Sequence, residues 1–165
     1  MRVPARAADS LGVTRRRFAL LALAGAAGGF AGRAVAASLP APESLAAELA
    51  QALGRRMPLV VMASLDGCPF CKLVRDGYLS PLRAETGQPV VQLDLRSRQG
   101  VIGFDGMRRS HDEVLRSWRV GSAPTVLFFG GGGREVAERL TGASIPDFYG
   151  AYLEERLRVA RANLP

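Results

Sequence analysis

Cys68 and Cys71 are the two cysteines of this 165-residue chain, and they stand in the stretch SLDGCPFCKL with two residues between them. Two thiols so spaced can form a disulfide, supply half of a metal site, or pack as small apolar groups. A crosslink that closes so short a loop constrains the unfolded chain very little, so the pair is better placed for reaction than for stapling. Two soft thiolates suit copper(I), whereas a tetrahedral zinc site needs two further ligands and the chain holds one histidine, His111. His111 follows a helix-capping serine and is expected at the surface, outside the chemistry. Asp66, two places before Cys68, has the character of a turn former or solvated charge.

The elements around the pair give it a place. APESLAAELAQALGRR repeats leucine at 45, 49 and 53 behind Ser44, an amphipathic helix with an N-cap. MPLVVMASL is an apolar run too short for a helix, and fits a strand of parallel type buried on both faces. The cysteines come at its exit. CKLVRDGYLSPLRAET continues as a helix strained near Gly77 and Pro81. PVVQLDL is a second buried strand, and SRQGVIGFDGMRR, with three glycines and no periodicity, is expected to be a loop. Phe104 and Met107 in that loop either rim the cysteines or anchor the loop itself.

Ser110-His111-Asp112-Glu113 matches a capping box and starts a helix through Trp118. APTVLFF and REVAERL form a hairpin across the turn Gly130 to Gly133, and Trp118, Phe128 and Phe129 are core by type. In SIPDFYGAYLEERLRVARANL, Ser144 can cap, Pro146 suits a first turn, and Ile145, Phe148, Tyr149, Tyr152, Leu153 and Leu157 make an apolar stripe that needs a sheet to cover. The order is that of an α/β fold, a β-α-β unit feeding a β-β-α unit with helices flanking a central mixed sheet.

With C-x-x-C at the exit of the first strand, this order resembles the thioredoxin-like fold over nearly all of residues 44 to 161. RVGSAPTVLFF is similar to the loop in which that family sets a cis proline beside its cysteines, which implies that Pro124 is cis, between Ala123 and Thr125. The CPFC sequence resembles the proline-aromatic pairs of glutaredoxins and of some periplasmic Dsb-type proteins, and IPDFYGAYLEERL resembles a phrase of exported thioredoxin-fold proteins. The resemblance implies catalytic roles for Cys68 and Cys71 and a substrate-facing surface of Pro69, Phe70, Ala123 and Pro124. It implies no organic cofactor, since the redox group is the Cys68–Cys71 disulfide itself. Two family marks are missing: Gly67 stands where thioredoxins carry tryptophan before the first cysteine, and Met62 where they bury an acid.

The residues support the chemistry independently. Cys68 falls at a helix N-terminus, where unpaired N–H groups favour an anion, and Cys71, three residues on, lies on the same face. In this reading Cys68 attacks a substrate disulfide and Cys71, the more buried thiol, resolves the mixed disulfide. Lys72, the one lysine of the chain, adds a charge nearby or simply solvates the helix.

The ends bound the rest. TRRRFALLALAGAAGGFAGRAVAA has the charged head, apolar middle and small-residue exit of an export signal. Its uninterrupted stretch, Phe18 to Gly32, is 15 residues long and rich in Gly and Ala, short of the roughly 20 that a spanning helix wants. Arg15, Arg16 and Phe18 resemble the twin-arginine motif, with a Sec signal as the alternative. Residues 1–36 are therefore expected to be a signal peptide, cleaved after Ala36, with 37–165 a single thioredoxin-like domain in the periplasm. Removing that segment takes six Arg and one Asp, so a formal +7 falls to +2 and a nucleic-acid footprint is absent.

The function so expected is an exported monomeric thiol-disulfide oxidoreductase acting on protein or small-molecule disulfides. It would be a reductase in preference to an oxidase, fed by a membrane electron donor. A copper(I)-binding module and a non-enzymatic interaction domain are the alternatives.

Overall fold

The computed structural model describes residues 38–143 and 146–164. The expected signal peptide at 1–36, with its arginine pair and its cleavage after Ala36, lies outside them, as do Ser144 and Ile145.

Helix α1 (Leu45–Gly54) starts on Ser44, whose Oγ accepts from the Ala47 N–H at 3.2 Å. It leads into β1 (Leu59–Ser64), every residue of which is buried. Helix α2 (Pro69–Val74) follows, passes through a π-helical turn at Arg75–Leu79 and resumes as α3 (Ser80–Thr86). The irregular turn falls where Gly77 and Pro81 weaken the helical ladder, the strain the sequence implied. Strand β2 (Val90–Asp94) runs parallel to β1, with Ser64 opposite Asp94 and Met62 opposite Gln92. After α4 (His111–Ser117), β5 (Thr125–Gly130) and β6 (Arg134–Thr141) complete an antiparallel half, and α5 (Pro146–Ala162) closes the chain. The main sheet has the order β2-β1-β5-β6, mixed as expected, with β1 at its centre between parallel and antiparallel partners.

Alternate residues of the central strands feed two cores. Val60, Met62, Val90, Val126 and Phe128 pack with Cys71 and Val74 of α2 and with Tyr149, Leu153 and Leu157 of α5. Val61, Ala63, Leu93, Leu127 and Phe129 pack on the other face with Leu45 and Leu49 of α1 and Val114 and Leu115 of α4. This two-sided burial is why β1 and β5 appear in sequence as unbroken apolar runs.

Two sequence expectations change, and one left open is decided. The segment 97–109 is no bare loop: β3 (Gly100–Ile102) and β4 (Arg108–Ser110) pair antiparallel, closed by a bidentate Arg109–Asp105 ion pair at 2.7 and 2.9 Å. Strands of three residues are too short to show a period of two, and the glycines at 100, 103 and 106 gave the segment the look of a loop. The stripe of α5 is narrower than six residues: Tyr149, Leu153, Leu157 and Ala160 are buried, while Phe148 and Tyr152 stay 59% and 51% exposed. Residues at i and i+4 spacing share one line of a helix, and the second line, one residue back, misses the sheet. Phe104 proves to be an anchor, stacked on Trp118 and packed against Phe129 with ring centroids 5.5 and 4.8 Å away. A Cβ on Gly133 would stand 2.7 Å from that ring, so the turn before β6 needs glycine.

Candidate active site at the exit of the central strand

The site begins where β1 ends. Leu65 accepts a hydrogen bond from the Cys68 N–H at 3.2 Å, and Gly67, at φ +70°, takes the left-handed conformation that this tight turn demands. The turn delivers Cys68 as the N-cap of α2 in extended backbone, and its Sγ accepts from the Cys71 N–H at 3.1 Å. Pro69, with no N–H to satisfy, occupies the first helical position. Cys68 and Cys71 are joined as a disulfide with Cα atoms 5.2 Å apart. The two sulfurs sit in unlike surroundings. Cys68 is half-buried, whereas Cys71 is 1% exposed and belongs to the core with Met62 and Val74. A helix start that donates an N–H to the outer sulfur favours its thiolate on reduction, and the apolar setting of the inner one favours the thiol.

Between the cysteines, Phe70 is 58% exposed, and Leu73 one turn on is also exposed, so the surface beside the disulfide is apolar. Sheet register brings the second expected element alongside. Ala63 at the end of β1 pairs with Thr125, and the Ala123–Pro124 bond just before it is cis. Pro124 is buried and its carbonyl accepts from Gly142 N–H at 2.8 Å, while Ala123 packs on the same core as Cys68 and Cys71. The expected residues 68 to 71, 123 and 124 thus fall at one end of the sheet. Met107 is exposed at the surface of the β3–β4 hairpin.

Two clefts meet at this end. The larger, of about 950 Å³, runs from Cys68 and Pro69 past Asp66, Lys72 and Arg75 to a polar floor of Ser64, Gln92 and Asp94. A smaller one of about 240 Å³ shares Leu65, Leu95 and Arg96 with it and reaches Ala123. Asp66 and Lys72 are exposed, in keeping with solvated charges. Gln92, the neighbour of Met62 across the ladder, donates from Nε2 to the Asp94 carboxylate at 2.8 Å, and its Oε1 is buried without a partner. Sequence reasoning passed over Gln92 and Asp94. Their signal was the alternation V-Q-L-D in β2, which puts two polar side chains on one face of an otherwise buried strand.

His111 corrects the surface expectation outright, being fully buried. Its Nδ1 accepts from the Asp94 N–H at 3.2 Å, and its Nε2 is buried with no partner. Burial lowers its pKa, against the opposing pull of the Asp94 carboxylate. The start of α4 also holds the far wall of the cleft: Arg96 N–H donates to Asp112 at 2.9 Å, and the His111 N–H donates to the Gln99 carbonyl at 2.9 Å. Arg96 there adopts φ +63°, uncommon for a residue with a side chain. Tertiary position, invisible in the local pattern, decided the fate of this histidine.

Among the described residues no group of three or more His, Cys, Asp or Glu is placed to hold a metal ion, and no helix is long and apolar enough to cross a membrane.

Residues 45–156 match the family model of the thioredoxin-like domain, and the chain belongs to that family. Solved structures similar to it include a thioredoxin from Fasciola hepatica, at 18% identity over 73% of this chain and 97% of that one, with a TM-score of 0.47. A thioredoxin from Nicotiana alata is 20% identical over 73% and 97%, with a TM-score of 0.45. The periplasmic thioredoxin SoxS from Paracoccus pantotrophus is 18% identical over 62% and 98%, with a TM-score of 0.40. No curated protein matches the chain. Fold and cysteine pair together are consistent, at a general level, with a thiol-disulfide oxidoreductase.

Proposed function

We propose that this protein is an exported thiol-disulfide oxidoreductase that reduces protein disulfides. The observation that carries the reading is the unequal setting of two sulfurs in one helical turn: Cys68 is accessible and capped by an N–H, and Cys71 is buried behind it. In the reduced protein, the Cys68 thiolate attacks one sulfur of the substrate. The substrate S–S bond breaks, its other sulfur leaves as a thiolate and takes a proton, and a mixed disulfide remains on Cys68. Cys71 then loses its proton and attacks the Cys68 sulfur, releasing the second substrate thiol and closing the Cys68–Cys71 disulfide. Two electrons pass to the substrate, and an external dithiol restores the pair.

Pro69, Phe70, Ala123 and Pro124 form the substrate-facing surface in this reading. Ala123 offers no polar side chain, so selection there rests on backbone and shape. Outside the cytoplasm the dithiol is a membrane electron donor. The enzyme acts as a monomer in the periplasm, after removal of residues 1–36 behind Ala36.

Insulin reduction with dithiothreitol, run beside a copper(I) titration, tests the reading. Turnover that vanishes in Cys68→Ser supports it. Tight stoichiometric copper without turnover replaces it with a metal-binding module, and neither activity leaves an interaction domain. The export half is tested by changing Arg15 and Arg16 to Lys: retention of the double variant in the cytoplasm is expected, and normal export with cleavage returns the segment to an ordinary Sec signal.

A further inference from the structure

The larger cleft carries charges of both signs that the chain itself does not consume. Asp66 and Lys72 flank Cys68, two places before and four after it, and among the described residues neither makes an ion pair. Arg96 at the far wall is held to Asp112 through its backbone N–H, which leaves its guanidinium to the cleft. On the floor, the buried Gln92 Oε1 is an acceptor without a donor, beside the Asp94 carboxylate. A buried acceptor left unmatched costs free energy until a donor arrives. Small Ser64, opposite Asp94 at the exit of β1, keeps this floor open to the sulfur site.

A protein disulfide does not use such an arrangement, because the amino and carboxyl groups next to its sulfurs are tied up in uncharged peptide bonds. A free amino-acid disulfide is different. It carries an ammonium and a carboxylate within a few bonds of each sulfur, so a site that receives its sulfur must meet both charges at close range. We propose that the cleft is a subsite for a low-molecular-weight disulfide with zwitterionic halves, cystine being the simplest, a proposal that rests on the disulfide-exchange reading above. Lys72 and Arg96 receive the carboxylates. Asp66 and the Gln92–Asp94 floor receive the ammonium. The volume of about 950 Å³ lies within the range of small-ligand clefts, roughly 300–1,000 Å³. The chemistry balances as for any disulfide: one cystine and the reduced Cys68–Cys71 pair give two cysteines and the oxidised pair, with two electrons transferred.

The test measures the rate at which the fully reduced protein is oxidised by four disulfides, read by acid quench, alkylation and mass spectrometry. The four are cystine, cystamine with ammonium only, dithiodiglycolate with carboxylate only, and neutral 2-hydroxyethyl disulfide. Each rate is divided by that of dithiothreitol with the same compound, which removes differences in intrinsic reactivity. Cystine should exceed the neutral disulfide by about tenfold, the scale of two modest charge pairs, with the singly matched compounds between. Lys72→Glu, a change on the exposed helix surface, should lower the cystine and dithiodiglycolate ratios and raise that of cystamine. Equal ratios for all four, or a Lys72→Glu variant with the wild-type order, overturn the subsite; insulin reduction by the same preparation then shows that the exchange reading survives. Failure of every disulfide, insulin included, overturns both.

Discussion

Helices α2 and α4 begin with the same device built from different atoms. At α2 the Cys68 Sγ accepts from the N–H three residues on, at 3.1 Å; at α4 the Ser110 Oγ accepts from the Glu113 N–H at 3.2 Å. Both cap residues are extended; Cys68 comes just after β1, and Ser110 is the last residue of β4. The difference is what answers back. The Ser110 N–H donates in turn to the Glu113 carboxylate at 2.7 Å, closing the capping box, whereas the Cys68 N–H is spent on the Leu65 carbonyl and its sulfur is bonded to Cys71. An oxygen cap with a reciprocal partner is a fixed anchor, and here it holds the wall of the cleft through Asp112 and His111. A sulfur cap is stabilised as an anion by the same backbone and remains free to exchange.

The largest way to break the comparison is to give α2 the atom that α4 uses. Cys68→Ser should abolish disulfide exchange entirely while leaving the helix capped, since serine is among the preferred N-caps. Insulin reduction and far-ultraviolet circular dichroism check the two halves of that statement. Cys71→Ser should instead retain the first attack and trap mixed disulfides, visible by mass spectrometry as adducts on Cys68.

At the other helix, Ser110→Ala removes an anchor and no chemistry. Urea unfolding should show a loss of about 1 kcal/mol, the usual worth of an N-cap. His111 gives a smaller, pH-dependent effect. Its folded pKa lies below its ordinary value of 6.5 because it is buried, so the unfolded state binds the proton first. Stability should be complete above 6.5 and decline as pH falls from there toward the folded value. His111→Gln should flatten that part of the profile, and a wild-type curve level across it would remove burial as the cause.

The smallest effect belongs to Glu113. The Ser110 backbone N–H, then the Ser110 side chain, hold its carboxyl below the usual 4.5. Its contribution is present above that value and is lost as pH falls through the lower folded pKa. The stabilities of wild type and Glu113→Gln should differ at neutral pH and converge in acid.

Local pattern carried the fold far. Capping residues, strand-length apolar runs and the glycine turn each marked an element that is present, because each reflects chemistry within a few residues of itself. The cysteine pair was legible for the same reason, as a motif at the exit of a strand, whereas the proline loop was legible through its resemblance to that of the thioredoxin-like family. What escaped was set by neighbours distant in sequence. His111 has the local signature of an exposed first-turn residue, yet α4 turns it beneath β2, where Asp94 N–H donates to it. Gln92 and Asp94 acquired meaning from Ser64, the small residue that the parallel register sets opposite Asp94. Phe148 and Tyr152 differ from Tyr149 and Leu153 by one position in a stripe whose width the helix alone does not fix.

The account turns on Cys68, not Cys71, being the sulfur that attacks. Brief treatment of the reduced protein with iodoacetamide at mildly acidic pH, followed by peptide mass spectrometry, measures this directly, because alkylation follows thiolate character and access. Label confined mainly to Cys68 is the result that a capped, half-buried thiol predicts; preferential label on the buried Cys71 would contradict it.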